Sequence, residues 1–310
     1  MRILFPVESC RLPVPRRNRT ARGFSLLEVL VVVSLLSLIV LALMAVFSST
    51  QRAFRSSVTQ ADVLEGSRAA VDLIASDLRN LTPSGDAKYG AVNFFVLANS
   101  TYYSPLIQSL PGSSVSRTNL LNYFFALGRQ NTKWTAVGYI VDTSASSPLY
   151  ALYRFYAETN TGVSALTLYT LFTNQITAVN WTTNLSHIID GVAHLTLRAY
   201  DPNGNWIYPT YTNALNSQFY SPFTTPAGPN GYGEAQFFMF SNTVPAAVEL
   251  ELGVLEDQTL ARAESRGVTG YPPSSPQAAV QWQYLQSQAG TVHVFRQRVT
   301  IPNVDRTAYQ

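Results

Sequence analysis

Along the first quarter of the chain the hydrophobic positions change their period. From Phe24 to Phe47, 24 consecutive residues are nearly all Leu, Val, Ile, Ala, Phe or Met, broken only by Ser25, Ser34, Ser37 and one charge, Glu28. A run of that length predicts a helix that is apolar on every side and long enough to cross ~30 Å of hydrocarbon. Past Gln51 the pattern turns amphipathic. Leu64, Val71, Ile74, Leu78 and Leu81 recur at helical spacing, Ser67 fills the gap in the stripe, and Asp62, Glu65, Arg68, Asp72 and Arg79 fall mostly off it. No proline lies between Pro15 and Pro83, Gly66 is the only glycine within 24–82, and Leu81-Thr82-Pro83-Ser84-Gly85 reads as a stop. One helix over 24–82 is therefore predicted, with 24–47 as its membrane-spanning part.

Beyond Pro83 the pattern breaks into short apolar or alternating runs between turn signals, at 92–97, 121–127, 134–141, 149–156, 166–172, 192–200, 247–255 and 291–301. The clearest is 247–255. Val248, Leu250, Leu252 and Val254 share one face and Glu249 and Glu251 the other, which predicts a half-buried strand with its glutamates in solvent. Asp201-Pro202-Asn203-Gly204 predicts a turn into a short strand at 206–208. Residues 210–235 and 265–290 are rich in Pro, Gly, Ser, Asn and Gln and read as long loops, with a short helix at 278–288. A helix followed by a series of strands predicts an α+β chain.

Charge sharpens this division. Residues 1–23 hold six arginines and one acid, Glu8, for a net +5; residues 24–310 hold 15 basic and 17 acidic side chains, for a net −2. The basic character belongs to an N-terminal segment rather than to the folded part, which argues against a nucleic-acid-binding face. Arginines crowd the start of the apolar run, while Arg52 and Arg55 follow its other end. That bias places the N-terminus in the cytoplasm and the body of the chain outside. The single cysteine, Cys10, lies in the basic segment and is not preceded by an apolar run, so the folded part is held by its core. No Cys/His spacing suggests a metal, and no cofactor is expected.

The residues at the junction carry the chemistry. Gly23-Phe24-Ser25-Leu26-Leu27-Glu28 follows a basic leader and opens the apolar run, and this combination resembles the type IV prepilin signature. The resemblance implies a leader over 1–23, cleavage after Gly23 by a prepilin peptidase, N-methylation of Phe24, and an assembly role for Glu28. The physics is consistent with it. A carboxylate deep in a bilayer costs roughly 2.5–3.5 kcal/mol on insertion scales. Cleavage would create an α-amine on Phe24 in the same apolar layer. In a bundle of parallel helices, Glu28 of one chain could neutralise Phe24 of a neighbour and fix the axial register. A plain signal anchor whose Glu28 snorkels to the interface is the alternative. It leaves Gly23, the leader and the helical extension unexplained.

Four later segments are similar to J-type minor pseudopilins of type II secretion and W-type minor pilins: 66–79 (GSRAAVDLIASDLR), 192–206 (VAHLTLRAYDPNGNW), 244–252 (VPAAVELEL) and 295–302 (FRQRVTIP). Prepilin-like cassette proteins of Verrucomicrobia are also similar. The head, 83–310, is longer than is usual in that class, with insertions around 100–120 and 210–235. The resemblance implies a long N-terminal helix packed on a mainly antiparallel sheet and a place in filament assembly or tip initiation. The implied partners are other minor and major pilins or pseudopilins, the inner-membrane assembly platform, and membrane lipid before assembly. The implied location is the inner membrane, single-pass with a periplasmic head, and then a pilus or pseudopilus.

Other chemistry-bearing residues point to structural roles. His187, His194 and His293 are isolated and read as strand residues. Gly231-Tyr232-Gly233 lacks the spacing of a phosphate loop. Asp201–Asn205 lacks the acidic series of a calcium loop. With no convergent catalytic set, an enzyme is disfavoured. A structural assembly subunit is the leading reading, and a filament-tip binding module using the enlarged head is the alternative.

Overall fold

The computed structural model describes residues 25–86, 90–98, 106–110, 112, 114–145, 147–207, 219–220, 237–268 and 283–309. In chain order the elements are α1 (Leu26–Arg79), β1 (Val92–Ala98), β2 (Leu106–Ser109), β3 (Ser116–Asn119), β4 (Asn122–Gln130), β5 (Lys133–Val141), β6 (Leu152–Asn160), α2 (Leu166–Thr177), β7 (Ser186–Ile189), β8 (Val192–Tyr200), β9 (Phe219–Tyr220), β10 (Phe237–Phe240), β11 (Ala247–Leu255), α3 (Asp257–Ser265) and β12 (Val292–Thr300). The chain divides into two units, Met1–Arg55 and Ser56–Gln310. In the first, the described residues are helical from Leu26 onward, and Ser25 to Phe54 are exposed. The fold is α+β, a long N-terminal helix followed by a mainly antiparallel β head.

In the second unit the strands form a seven-stranded sheet in the order β7-β6-β5-β4-β1-β10-β9, a three-stranded sheet β12-β11-β8, and the hairpin β2-β3. Every strand pair within them is antiparallel. The central strands of the large sheet are buried on both faces, which is why β4 and β5 read as near-continuous apolar runs rather than alternating ones. One face contributes Phe94, Phe124, Val137 and Tyr139 to the main core, shared with the second half of α1 and with β8 and β11. The other face contributes Phe95, Phe125, Leu127 and Phe155 to a second core beneath α2.

The second half of α1 fits this frame through Val63, Ser67, Ala70, Val71, Ile74, Ala75 and Leu78, all buried. Each fully buried Ile or Leu there contributes roughly 1.5–3 kcal/mol. The stripe differs from expectation at its start, where Val63 is buried and Leu64 is 37% exposed. The 100° turn per residue puts Val63, not Leu64, in line with Ser67 and Ala70. The helix then tightens, with Asn80 and Leu81 N–H donating three residues back to Asp77 and Leu78, before Thr82 N–H joins the Leu127 carbonyl of β4 at 2.9 Å. Gly128 permits that junction, because a Cβ there would sit 2.9 Å from the Asn80 carbonyl oxygen.

Strands β8 and β11 match the expected 192–200 and 247–255. Segments 192–206, 244–252 and 295–302 supply the three strands of one sheet, with 66–79 beside it in the core. The expected strand at 166–172 is instead the start of α2. Leu168 and Phe172, four residues apart and both fully buried, follow Ala165, and that spacing belongs to one helix face. The expected strand at 206–208 is a single bridge between Tyr200 and Trp206; Tyr208 lies outside the described residues. The 210–235 loop contains β9, and the 265–290 loop contains a helical turn at 283–286, within the helix expected over 278–288. The rest of the 210–235 loop, and residues 269–282 of the other, lie outside the described residues.

Candidate functional site

Ser25 and Glu28 shape the start of α1. Glu28 N–H donates to Ser25 Oγ at 3.2 Å, and Val29 N–H donates to the Ser25 carbonyl at 3.2 Å, so Ser25 caps the helix with Glu28 at its third position. Serine followed three residues later by glutamate is the pattern of a capping box. The Glu28 carboxylate therefore lies in the first turn, where the partial positive charge of the helix end favours an anion. This local role of Glu28 was missed in the sequence, although the Ser-x-x-Glu signal was present. Gly23 and Phe24 lie outside the described residues.

Downstream of Glu28 the helix offers lipid almost no unsatisfied polarity. Residues Leu26–Phe54 have a mean hydropathy of 3.1 in their most apolar window, none of which is buried, and the segment is long and apolar enough to cross a membrane. Four hydroxyls along this segment bond to their own helix. Ser34 donates to Val31 O at 2.8 Å, Ser37 to Val33 O at 2.7 Å, Ser48 to Ala45 O at 2.9 Å and Thr50 to Val46 O at 2.9 Å. Satisfying these groups internally lowers their cost in hydrocarbon.

Ionised side chains of the head are tied into structural contacts. Arg154 on β6 forks Asp77 of α1, with Nε to Oδ2 at 2.8 Å and Nη2 to Oδ1 at 2.9 Å, and Tyr139, directly opposite Arg154 on β5, donates its hydroxyl to the same carboxylate. Burial first, and then the Asp77 charge, push the Tyr139 phenol well above its ordinary range. The Asp77 bond raises the Arg154 guanidinium further.

Glu249 and Glu251 depart from the sequence reading. Their side chains are only 16% and 10% exposed, so they do not form a solvated face. Strand β11 is the centre of its sheet, and arginines from both neighbours lie over its glutamates. Arg198 Nη1 donates to Glu251 at 2.9 Å and to Glu249 at 3.3 Å, and Arg296 Nη2 donates to Glu251. His194 accepts from Leu120 N–H through Nδ1 at 3.1 Å, which leaves Nε2–H facing the Glu251 carboxylate at 3.5 Å. The bond from His194, followed by Arg198 and Arg296, holds the Glu251 carboxyl at about 2 against the opposing effect of burial.

The remaining candidates are local structure. His187 pairs with Asp190 at 2.6 Å, and His293 with Glu256 at 3.1 Å. Asp201 closes its own turn, accepting from Asn203 N–H and Asn205 N–H at 2.9 and 2.7 Å, which is the expected turn rather than a cation loop. Gly231, Tyr232, Gly233 and Cys10 lie outside the described residues. Among the described residues, no group of three or more His, Cys, Asp or Glu is placed to hold a metal ion.

Comparison with known families places the prokaryotic N-terminal methylation motif over residues 18–46. That span contains Gly23, Phe24, the Ser25 cap, Glu28 and most of the apolar run. Neither the curated proteins nor the solved structures returned a match. The motif and the exposed apolar helix together support prepilin-type processing and inner-membrane anchoring, and with them the type IV pilin and pseudopilin superfamily.

Proposed function

We propose that the chain is a minor pilin or pseudopilin, a structural subunit rather than an enzyme, whose N-terminal helix leaves the inner membrane to enter a filament. The observation that carries this reading is the coincidence of the methylation motif at 18–46 with an apolar helix whose element runs on to Arg79 and whose second half is built into the core of the head. A disposable anchor has no need of the second half. In this reading 1–23 is the leader, 24–82 the assembly helix and 83–310 the periplasmic head. Gly23 marks the cut, Phe24 acquires the methylated amine, and Glu28 neutralises the amine of a neighbour. The N-terminus faces the cytoplasm before assembly, and the partners are prepilin peptidase, the assembly platform and other pilins or pseudopilins. The ordered matches along α1, β8, β11 and β12 favour a J-type or W-type position near the tip.

A filament-tip binding module is the second reading, favoured by a head that adds the β2–β3 hairpin and α2 to its sheets. Co-expression with a prepilin peptidase tests the first step. The chain should lose about 2.5 kDa (~110 Da for each of the 23 leader residues), and Gly23→Val should remain full length. Equal mobility of the two chains with and without the peptidase would count against the proposal.

A further inference from the structure

Among the described residues, no strand pairs with the outer edge of the three-stranded sheet, and the hydrogen-bonding pattern of that edge is specific. Strand β12 ends the order β12-β11-β8. Ile301 N–H donates to Ala246 O, Glu256 N–H donates to Thr291 O, and the register between them runs Ala247↔Thr300 to Leu255↔Val292. In an antiparallel ladder this parity turns the backbone groups of the odd-numbered residues of β12 toward β11 and those of Val294, Arg296, Arg298 and Thr300 away from it. Among the described residues, nothing bonds to those outward backbone groups. The same four residues are exposed, with Val294 at 45% and the Arg296 side chain at 62%.

The side chains beside this edge say what could pair with it. Arg296 and Arg298 project from the outer face two residues apart. Arg298 lies over the Tyr200 ring at 4.3 Å and has no carboxylate within salt-bridge distance among the described residues. Arg296 reaches Glu251 but remains mostly exposed, so part of its five-donor fork is open. A second copy pairing antiparallel through the full length of this edge would set Arg296 against its own counterpart, and like charges directly opposite are unfavourable. The strand that already pairs with β12 has the complementary pattern. In Val248-Glu249-Leu250-Glu251-Leu252, Glu249 sits opposite Arg298 and Glu251 opposite Arg296.

The geometry points to β12 as a docking edge for an extended segment of another protein in which acidic and apolar residues alternate, added as a fourth strand. Backbone bonds to Val294, Arg296 and Arg298 supply the affinity. Carboxylates opposite the two arginines supply the register and select against a second copy. The arrangement does not depend on processing at Gly23, so its test and that of the filament reading can fail separately.

The probe is a fluorescent, end-capped peptide copying residues 247–255, added to the full-length chain in detergent micelles. Anisotropy should report binding that weakens about tenfold or more when the peptide carries lysine at both glutamate positions, consistent with two cross-strand charge pairs turned from attraction to repulsion. Hydrogen exchange should slow at Val294, Arg296 and Arg298. Val294→Pro removes an outward N–H without touching the β11 ladder and should abolish binding. Arg298→Ala, which gives up the Tyr200 contact without setting a like charge against Glu249, should weaken it without loss of fold. Equal binding of the glutamate and lysine peptides, protection elsewhere in the chain, or concentration-dependent protection of β12 without peptide would overturn the proposal.

Discussion

Arg154 on β6 grips Asp77 of α1 through two parallel hydrogen bonds of 2.8 and 2.9 Å, and so ties the last turns of the long helix to the large sheet. The pair is largely buried, with the arginine side chain 18% and the aspartate 12% exposed. Removing one member of such a pair leaves an uncompensated charge. Asp77→Ala should therefore destabilise the head by about 3–5 kcal/mol, and Tyr139→Phe, which removes one donor, by about 1 kcal/mol. Denaturant unfolding of the full chain in micelles, followed by tryptophan fluorescence, measures both.

Gly138 and Phe172 make a second tie, between β5 and α2. A Cβ on Gly138 would fall 2.2 Å from the Phe172 ring, which itself packs on Phe155 at 5.3 Å between centroids. Gly138→Ala should cost about 1–3 kcal/mol by forcing the ring aside. Combining it with Phe172→Leu should cost less than the sum of the two single changes, because the clash is then relieved. A double-mutant cycle in the same unfolding assay measures the coupling.

Acid stability depends on Glu251. Its carboxyl is lowered in the folded chain from 4.5 to about 2 by His194, Arg198 and Arg296. A depressed carboxylate stabilises the fold fully above its unfolded pKa, and that stabilisation is lost as pH falls through the folded value. Stability should therefore decline from about pH 4.5 toward pH 2, and Glu251→Gln should flatten that part of the profile while lowering stability at pH 7. Thermal melts across this range provide the comparison.

The parts of this fold that were legible in the sequence are those where one face alone meets the core. The second half of α1 and the strand β8 show their period directly, and β11 shows the right boundaries. Helix α2 reads two ways because Leu166, Leu168 and Phe172 fit an alternating spacing while Ala165, Leu168 and Phe172 fit a helical one, and the 39% exposure of Leu166 separates the two. Helix α3 left no signal, because its buried residues are Thr259 and Ala263, too small and too polar to mark a stripe. The burial of Glu249 and Glu251 depends on arginines 45–53 positions away in sequence, so alternation alone reports solvent where the fold puts guanidinium groups. At the N-terminus, the motif was readable because its chemistry is local. Ser25, three residues before Glu28, carries an equally local signal.

On the proposed mechanism, Glu28 should separate processing from assembly. In the proposed mechanism the peptidase acts at Gly23, and the carboxylate acts later against a neighbour's amine. Glu28→Ala should leave cleavage largely intact and reduce incorporation into filaments about tenfold or more, because a buried amine left unpaired costs about 2–5 kcal/mol. Immunoblots of sheared filaments against total cell protein give the ratio. Wild-type incorporation would remove the pairing from the account.

The mature N-terminus is the most direct test of the whole reading. Intact-mass and terminal-peptide mass spectrometry of the chain, co-expressed with a prepilin peptidase, should find Phe24 as the first residue, carrying one added methyl group, with the apolar helix retained. A chain that begins at Met1 despite active peptidase, or one cut beyond Phe47 so that the helix is lost, would contradict it.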